Sequence, residues 1–157
     1  MDAGILWPIK TSLTAYIESL DDGKIDVMDP AESRPAGFWF PLQAGRAGTA
    51  AGGSMEFAGS VRLSGHWGML DVEFRDPRLD FDDAGAVLLI RERGGINQDR
   101  FVAIARLTRQ LDASATATDF AAALTGEGAF LLGGQYPAGT ALSPVRLHSA
   151  TPGSSSA

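Results

Sequence analysis

Apolar and polar residues alternate with a period of two along most of this chain. From Ser54 to Leu63, Met55, Phe57, Val61 and Leu63 share one face while Glu56, Ser60 and Arg62 share the other. The alternation resumes after Ser64-Gly65-His66-Trp67-Gly68, with Leu70, Val72 and Phe74 set against Asp71, Glu73 and Arg75. Two half-buried strands around a short Gly-flanked break read as a hairpin, and His66 falls in its connection. Further strands fit Lys24 to Met28, Gly37 to Leu42, Leu79 to Phe81, Val87 to Ile90, Phe101 to Leu107 and Val145 to His148, with Gly94-Gly95 as a turn.

Two segments break this rhythm. From Lys10 to Leu20 the apolar residues Leu13, Tyr16, Ile17 and Leu20 recur at i, i+3, i+4 and i+7, which predicts a helix. Thr11 or Ser12 is the expected cap, and Asp21-Asp22-Gly23 ends it. A second, shorter helix is expected from about Thr118 to Thr125, closed by Gly126. The sum is a mainly β fold: an antiparallel sandwich or open barrel-like sheet of about eight or more strands, with two short helices. Ala44 to Ser54, rich in Gly and Ala, reads as a long loop or a mobile hairpin end. The expected organisation is one domain over residues 1–150 and a flexible tail over 151–157.

Composition narrows the function. The 157 residues are 45% hydrophobic and 20% charged, enough apolar material for a core. A net charge of −6, with Lys only at 10 and 24, argues against nucleic acid and against a polybasic membrane patch. Absence of cysteine excludes disulfides, thiolate metal sites and a Cys nucleophile. The N-terminus has no basic and apolar run of the signal-peptide kind. The uncharged stretch from Gly128 to Val145 is interrupted by Gly133-Gly134, Pro137, Gly139 and Pro144, so it makes a poor spanning helix.

Most chemical motifs fail. Asp80-Phe81-Asp82-Asp83-Ala84-Gly85 lacks the later ligands of a calcium loop and reads as a charged turn. There is no P-loop and no Gly-x-Ser-x-Gly elbow, and nothing in the chain asks for an enzyme. Two residues keep their interest. Tyr16 lies on the helix stripe with Ser12 one turn behind it, and His66 sits between strands, hemmed by glycines. Taken singly, each has an ordinary explanation that outweighs a functional one, as a core tyrosine with its hydroxyl at the rim and a solvated turn histidine.

Taken together, the residues resemble a known family. Leu6-Trp7-Pro8-Ile9-Lys10-Thr11-Ser12-Leu13-Thr14-Ala15-Tyr16 is similar to the opening Trp-Gly-x-Lys-x-Ser-Phe-Arg-x-Tyr of the HtaA, or haem-transport-associated, domain. Gly59-Ser60-Val61-Arg62-Leu63-Ser64-Gly65-His66-Trp67-Gly68-Met69-Leu70 resembles its Gly-Ser-Val-x-Phe-x-Gly-His-x-Gly-x-Leu segment, and Asp76-Pro77-Arg78 its Asn-Pro-Arg. Leu124 to Phe130 and Gly133 to Gly139 resemble its last helix and its Gly-x-Tyr-x-x-Gly strand.

The resemblance spans about residues 5 to 148 and implies a β-rich module of bacterial haem uptake that binds one ferric haem b. It implies Tyr16 as axial ligand of the iron, His66 as the hydrogen-bond partner of the ligating oxygen, and Ser12 and Tyr136 as propionate contacts. It also implies a secreted or cell-surface setting, with haem and other haem-transfer proteins or a haemoprotein donor as partners. Pro8 stands where the family has Gly, Leu13-Thr14 where it has Phe-Arg, and Gln135 where an aromatic often flanks the haem. Trp67 and Phe38-Trp39 are the aromatic candidates for lining the slot. A ligand-free structural or adhesive β module is the alternative on the same fold.

Overall fold

Strand β1 (Gly4–Trp7) is hydrogen-bonded on both edges, and that fact closes the architecture. The computed structural model describes residues 3–45, 53–91, 100–110 and 117–148. After β1 come α1 (Thr11–Ser19), β2 (Lys24–Met28), β3 (Glu32–Arg34), β4 (Gly37–Gly45), β5 (Ser54–Phe57), β6 (Ser60–Gly65) and β7 (Leu70–Arg75). Then follow β8 (Arg78–Phe81), β9 (Gly85–Arg91), β10 (Phe101–Arg109), β11 (Ala117–Leu124), α2 (Gly126–Leu131) and β12 (Ala141–His148). Strands run in the order β1-β12-β11-β10-β9-β8-β5-β4, and β4 pairs back to β1, so eight antiparallel strands form a ring. Short β3 hangs on β4, and a separate sheet of order β2-β6-β7 carries the predicted hairpin. The expected mainly β fold with two helices is present, and its main sheet closes rather than staying open.

Closure puts one face of every strand inside. Ile5, Trp7, Phe40, Phe57, Leu79, Leu88, Ile104, Leu107, Phe120 and Val145 are all buried, and they join Val61, Leu63, Val72 and Phe74 of the smaller sheet in one core. Bulges at Leu42/Ala44, Ala103/Ala105 and Phe120/Ala122 interrupt the registers and let the strands bend round the ring.

The long strand expected from Ser54 to Leu63 is two strands. At Ala58-Gly59 the chain leaves the barrel for the second sheet. Gly59 has φ 112°, and a Cβ there would lie 2.5 Å from Ala31, so no larger residue fits the crossing. β1 and β3 were not expected, and β12 begins at Ala141, earlier than the alternation suggests.

The second predicted helix is wrong in place. Residues 117–124 form β11, with Phe120, Ala122 and Leu124 buried at period two and hydrogen-bonded neighbours on both sides. Pairing to two strands outweighs the modest helix preference of its alanines. Thr125, read as the helix end, is instead the cap of α2: its Oγ1 accepts from Gly128 N at 2.9 Å and donates to Ala103 O at 2.7 Å. The helix implied by the family resemblance is the one found.

Helix α1 matches its stripe, with Leu13 and Ile17 buried. Its cap does not match, because Lys10 occupies that position without a side-chain bond, and Lys10 O accepts from Leu13 N and Thr14 N. The Gly94-Gly95 turn, the tail at 151–157 and most of the Ala44–Ser54 loop lie outside the described residues.

Candidate functional site

The site is built where α1 meets the tip of the β6–β7 hairpin. Burying Leu13 and Ile17 fixes the roll of α1 and turns Tyr16 to the surface, where it stays 41% exposed. The hairpin comes close to the end of α1 at Gly65, where a Cβ would lie 2.7 Å from Leu20 Cδ1, so a side chain there would force the Leu20 terminus to shift. Beyond Gly65 the chain turns through a single 3₁₀ turn in which His66 and Trp67 take φ of 52° and 56°, left-handed values unusual for side chains of this size. Met69 N bonds His66 O at 3.1 Å and closes the turn.

This conformation brings His66 onto Tyr16. The phenol oxygen and His66 Nε2 share a short hydrogen bond, and the rings lie 5.5 Å apart at 39°. Fifty residues of sequence separate the two. At the same junction Trp67 N donates to Asp22 Oδ2 at 2.5 Å, tying the hairpin tip to the turn that follows α1.

Ser12 is exposed one turn before Tyr16 on the same face of α1. Tyr136 stands apart from the pair, half-buried against the core, with Lys10 Nζ 5.4 Å from its ring centre. Lys10, which also donates to Ala141 O, is the N-terminal flank of α1, so its ring contact puts Tyr136 beside that end of the helix. Six residues of helix separate Lys10 from Tyr16, about 9 Å along the axis, with Ser12 between them. The four predicted site residues are therefore two in contact, one a turn away and one at the far end of the same helix. Phe38 and Trp39 do not join them: both are buried in β4, and the Trp39 ring packs on Arg34 and His148. Trp67 does adjoin the pair and is 85% exposed.

Sequence reasoning missed the apolar surface contributed by α2. Phe130 is 86% exposed and Leu131 partly so, and Met69 adds a third exposed apolar side chain at the hairpin. Leu131 lines a narrow apolar gap with Leu13 of α1 and Phe74 of β7. With Phe130 it also walls a cleft of about 550 Å³ over Val72, Ile90 and Val102. Neither Tyr16 nor His66 lines that cleft. Gly126 and Gly128 conceal α2 from a propensity argument, which is why Phe130 carried no signal.

The donor set has a clear chemical limit. Among the described residues, no three His, Cys, Asp or Glu side chains gather to hold a metal ion. Tyr16 offers one hard oxygen, and the neighbouring imidazole nitrogen is already engaged with it. A bare ferric ion would want several more ligands, whereas a metal already ringed by a macrocycle needs only an axial donor.

Fold and site thus define a closed antiparallel β-barrel that presents a helix-borne phenol, backed by an imidazole, beside the exposed Trp67. The chain belongs to the HtaA family, whose model (Htaa) matches residues 2–148. Its fold is similar to the C-terminal domain of HtaA from Corynebacterium glutamicum, with TM-score 0.78 and 22% identity over 94% of each chain. It is similar to the N-terminal domain of the same protein at TM-score 0.75 and 25% identity, covering 96% of this chain and 98% of that one. A third similar structure is the haem-binding protein HtaB of that organism, at TM-score 0.70 and 21% identity, covering 94% and 92%. No curated protein sequence matches this chain closely enough to count as a relative.

Proposed function

We propose that this chain is a haem-binding domain of bacterial haem uptake, which holds ferric haem b through Tyr16 with His66 behind the ligating oxygen. The observation that carries this reading is the hydrogen bond between a solvent-exposed phenol and His66 Nε2. Membership of the HtaA family and likeness to a haem-binding protein support it.

The chemistry follows from the two side chains. A free phenol has a pKa near ~10 and is a poor anionic donor at neutral pH. Ferric iron is a hard Lewis acid and supplies the driving force for loss of the phenol proton. His66 does the rest: with its proton on Nε2 it donates to the phenolate oxygen and stabilises the anion, while Nδ1 faces away. Tyrosinate ligation favours the oxidised metal, which suits capture and handover rather than electron transfer. Protonating the Tyr16 oxygen reverses the grip and gives a release route.

The remaining residues hold the macrocycle. Trp67 and Met69 of the hairpin tip offer apolar contact beside the pair, Phe130 and Leu131 add exposed apolar surface on α2, and Ser12 and Tyr136 are assigned to the propionates. The domain so defined comprises residues 1–150, with 151–157 as a tail. It binds and transfers rather than catalyses, and it acts outside the cell or at its surface, where a haem donor and a haem acceptor are its partners.

A hemin titration tests the proposal. Wild type should give a saturable Soret band with tyrosinate-to-iron charge-transfer features. Tyr16→Ala should abolish both, and His66→Ala should weaken binding or shift the spectrum in a folded domain. Equal binding by wild type and Tyr16→Ala overturns the site, and no saturable change in wild type leaves the ligand-free β module.

A further inference from the structure

We infer that Asp22 is the positioning residue that holds the His66 imidazole on the Tyr16 oxygen, acting through the Trp67 amide. The inference deepens the haem-site reading and rests on it for its functional consequence, although its structural half stands without haem.

His66 and Trp67 both lie in the left-handed region, which an L side chain disfavours by roughly 1–2 kcal/mol per residue. A four-residue tip containing two such residues needs something outside itself to keep that shape. The ladder between β6 and β7 reaches only as far as Gly65 opposite Leu70, and among the described residues the Met69 N to His66 O bond is the backbone closure inside the tip. Besides the Tyr16–His66 bond whose geometry is to be explained, the hydrogen bond that reaches the tip from another element among the described residues is Trp67 N to Asp22 Oδ2 at 2.5 Å, with a charged acceptor. Asp22 is itself anchored. It stands in the turn where Gly23 N bonds Leu20 O, between the last residues of α1 and the start of β2. Helix α1 therefore carries Tyr16, and the turn that follows it grips, through Asp22, the loop that carries His66.

Releasing Trp67 N frees the tip to relax toward ordinary backbone values, and the His66 ring then swings off the phenol oxygen. The ligating oxygen would stay in place on its helix but lose its hydrogen-bond donor. Asp22 thus differs from Tyr16, whose loss removes the ligand itself.

The test compares Asp22→Ala and Asp22→Asn with wild type, with Asp21→Ala as a control in the same turn. In the haem-free protein, NMR cross-peaks between the Tyr16 and His66 rings should be present in wild type, Asp22→Asn and Asp21→Ala and lost in Asp22→Ala. With hemin, Asp22→Ala should still bind. Its charge-transfer band should shift in the same direction as that of His66→Ala, and haem should transfer to excess apomyoglobin about tenfold faster, the size of one charge-assisted hydrogen bond. Asn keeps an acceptor oxygen and should restore the spectrum. Ring cross-peaks that persist in Asp22→Ala, or a loss of thermal stability with unchanged spectrum and transfer rate, overturn the inference. Should Asp22→Ala fail to fold, Asp22→Ser takes its place, and the same two results decide. Failure of wild type to bind hemin sinks the haem reading alone, because the cross-peaks still decide whether Asp22 positions His66.

Discussion

Tyr16→Phe removes one oxygen atom and nothing else, and the structure lets its two consequences be sized separately. The ring stays, Tyr16 is 41% exposed, and no cavity opens. For the empty domain the loss is one hydrogen bond at the surface, to His66, at the lower end of the usual range of about 0.5–1.5 kcal/mol. For a domain of this size that lowers the melting temperature by roughly 3 °C or less. For the loaded domain the same atom is the iron's donor. Counting only a charge-assisted hydrogen bond of about 1.5–3 kcal/mol, and leaving the coordinate bond out, the floor on the affinity loss is roughly ten- to hundredfold. Thermal melts of the empty protein and hemin titrations followed through the Soret and charge-transfer bands measure the two halves. A variant that melts like wild type and binds hemin within about threefold of it refutes the reasoning. Collapse of the empty fold would equally show that Tyr16 belongs to the core.

Two further predictions concern the frame around the site. Thr125→Val keeps the shape but deletes both the α2 cap and the bond to Ala103 O, so it should cost about 1–2 kcal/mol and lower the melting temperature by roughly 2–8 °C. Urea unfolding should show a matching fall in midpoint, and an unchanged midpoint would mean that α2 is not held there. Asp82, gripped at 2.5 and 2.7 Å by both terminal nitrogens of Arg106, has its carboxyl lowered to about 2, first by that bond and then by the Gly85 and Ala84 amides against the opposing effect of burial. The folded value lies below the unfolded one of about 4, so its stabilisation is complete above that pH and disappears as pH falls toward 2. Wild type should therefore lose its advantage over Asp82→Asn across that window, and a difference in stability that stays constant there removes the ion pair from the account.

What could be read from the sequence depended on whether a pattern was local. β6 and β7 were legible because Val61, Leu63, Leu70, Val72 and Phe74 alternate without interruption, and α1 because Leu13 and Ile17 recur at helical spacing. β11 was misread because Thr118, Asp119 and three alanines satisfy a helix pattern locally, while the two partner strands that decide the matter lie elsewhere in the chain. β3 carries no apolar residue, so only its pairing with β4 reveals it. At the site, a helix stripe showed that Ser12 and Tyr16 share a face, and a hairpin break marked His66. That these meet across fifty residues entered the sequence reading only through family likeness, since spacing has no information on which turn touches which helix. Phe130 and Asp22 lay beyond any pattern: one sits in a glycine-containing helix, and the other serves through a backbone amide whose position depends on an unusual turn.

The double pairing of β1 has a consequence for the order of events during folding. Gly4 is matched to His148 on one edge and to Pro41 on the other, so the seam that completes the ring joins the two ends of the described chain. Only three residues separate this strand from the helix that bears Tyr16. A nascent polypeptide consequently cannot finish anchoring that helix until its final strand has emerged, and contacts of such long range form slowly. Any ligand that engages the finished helix face then acts as a latch on the seam, shifting the balance against reopening by mass action.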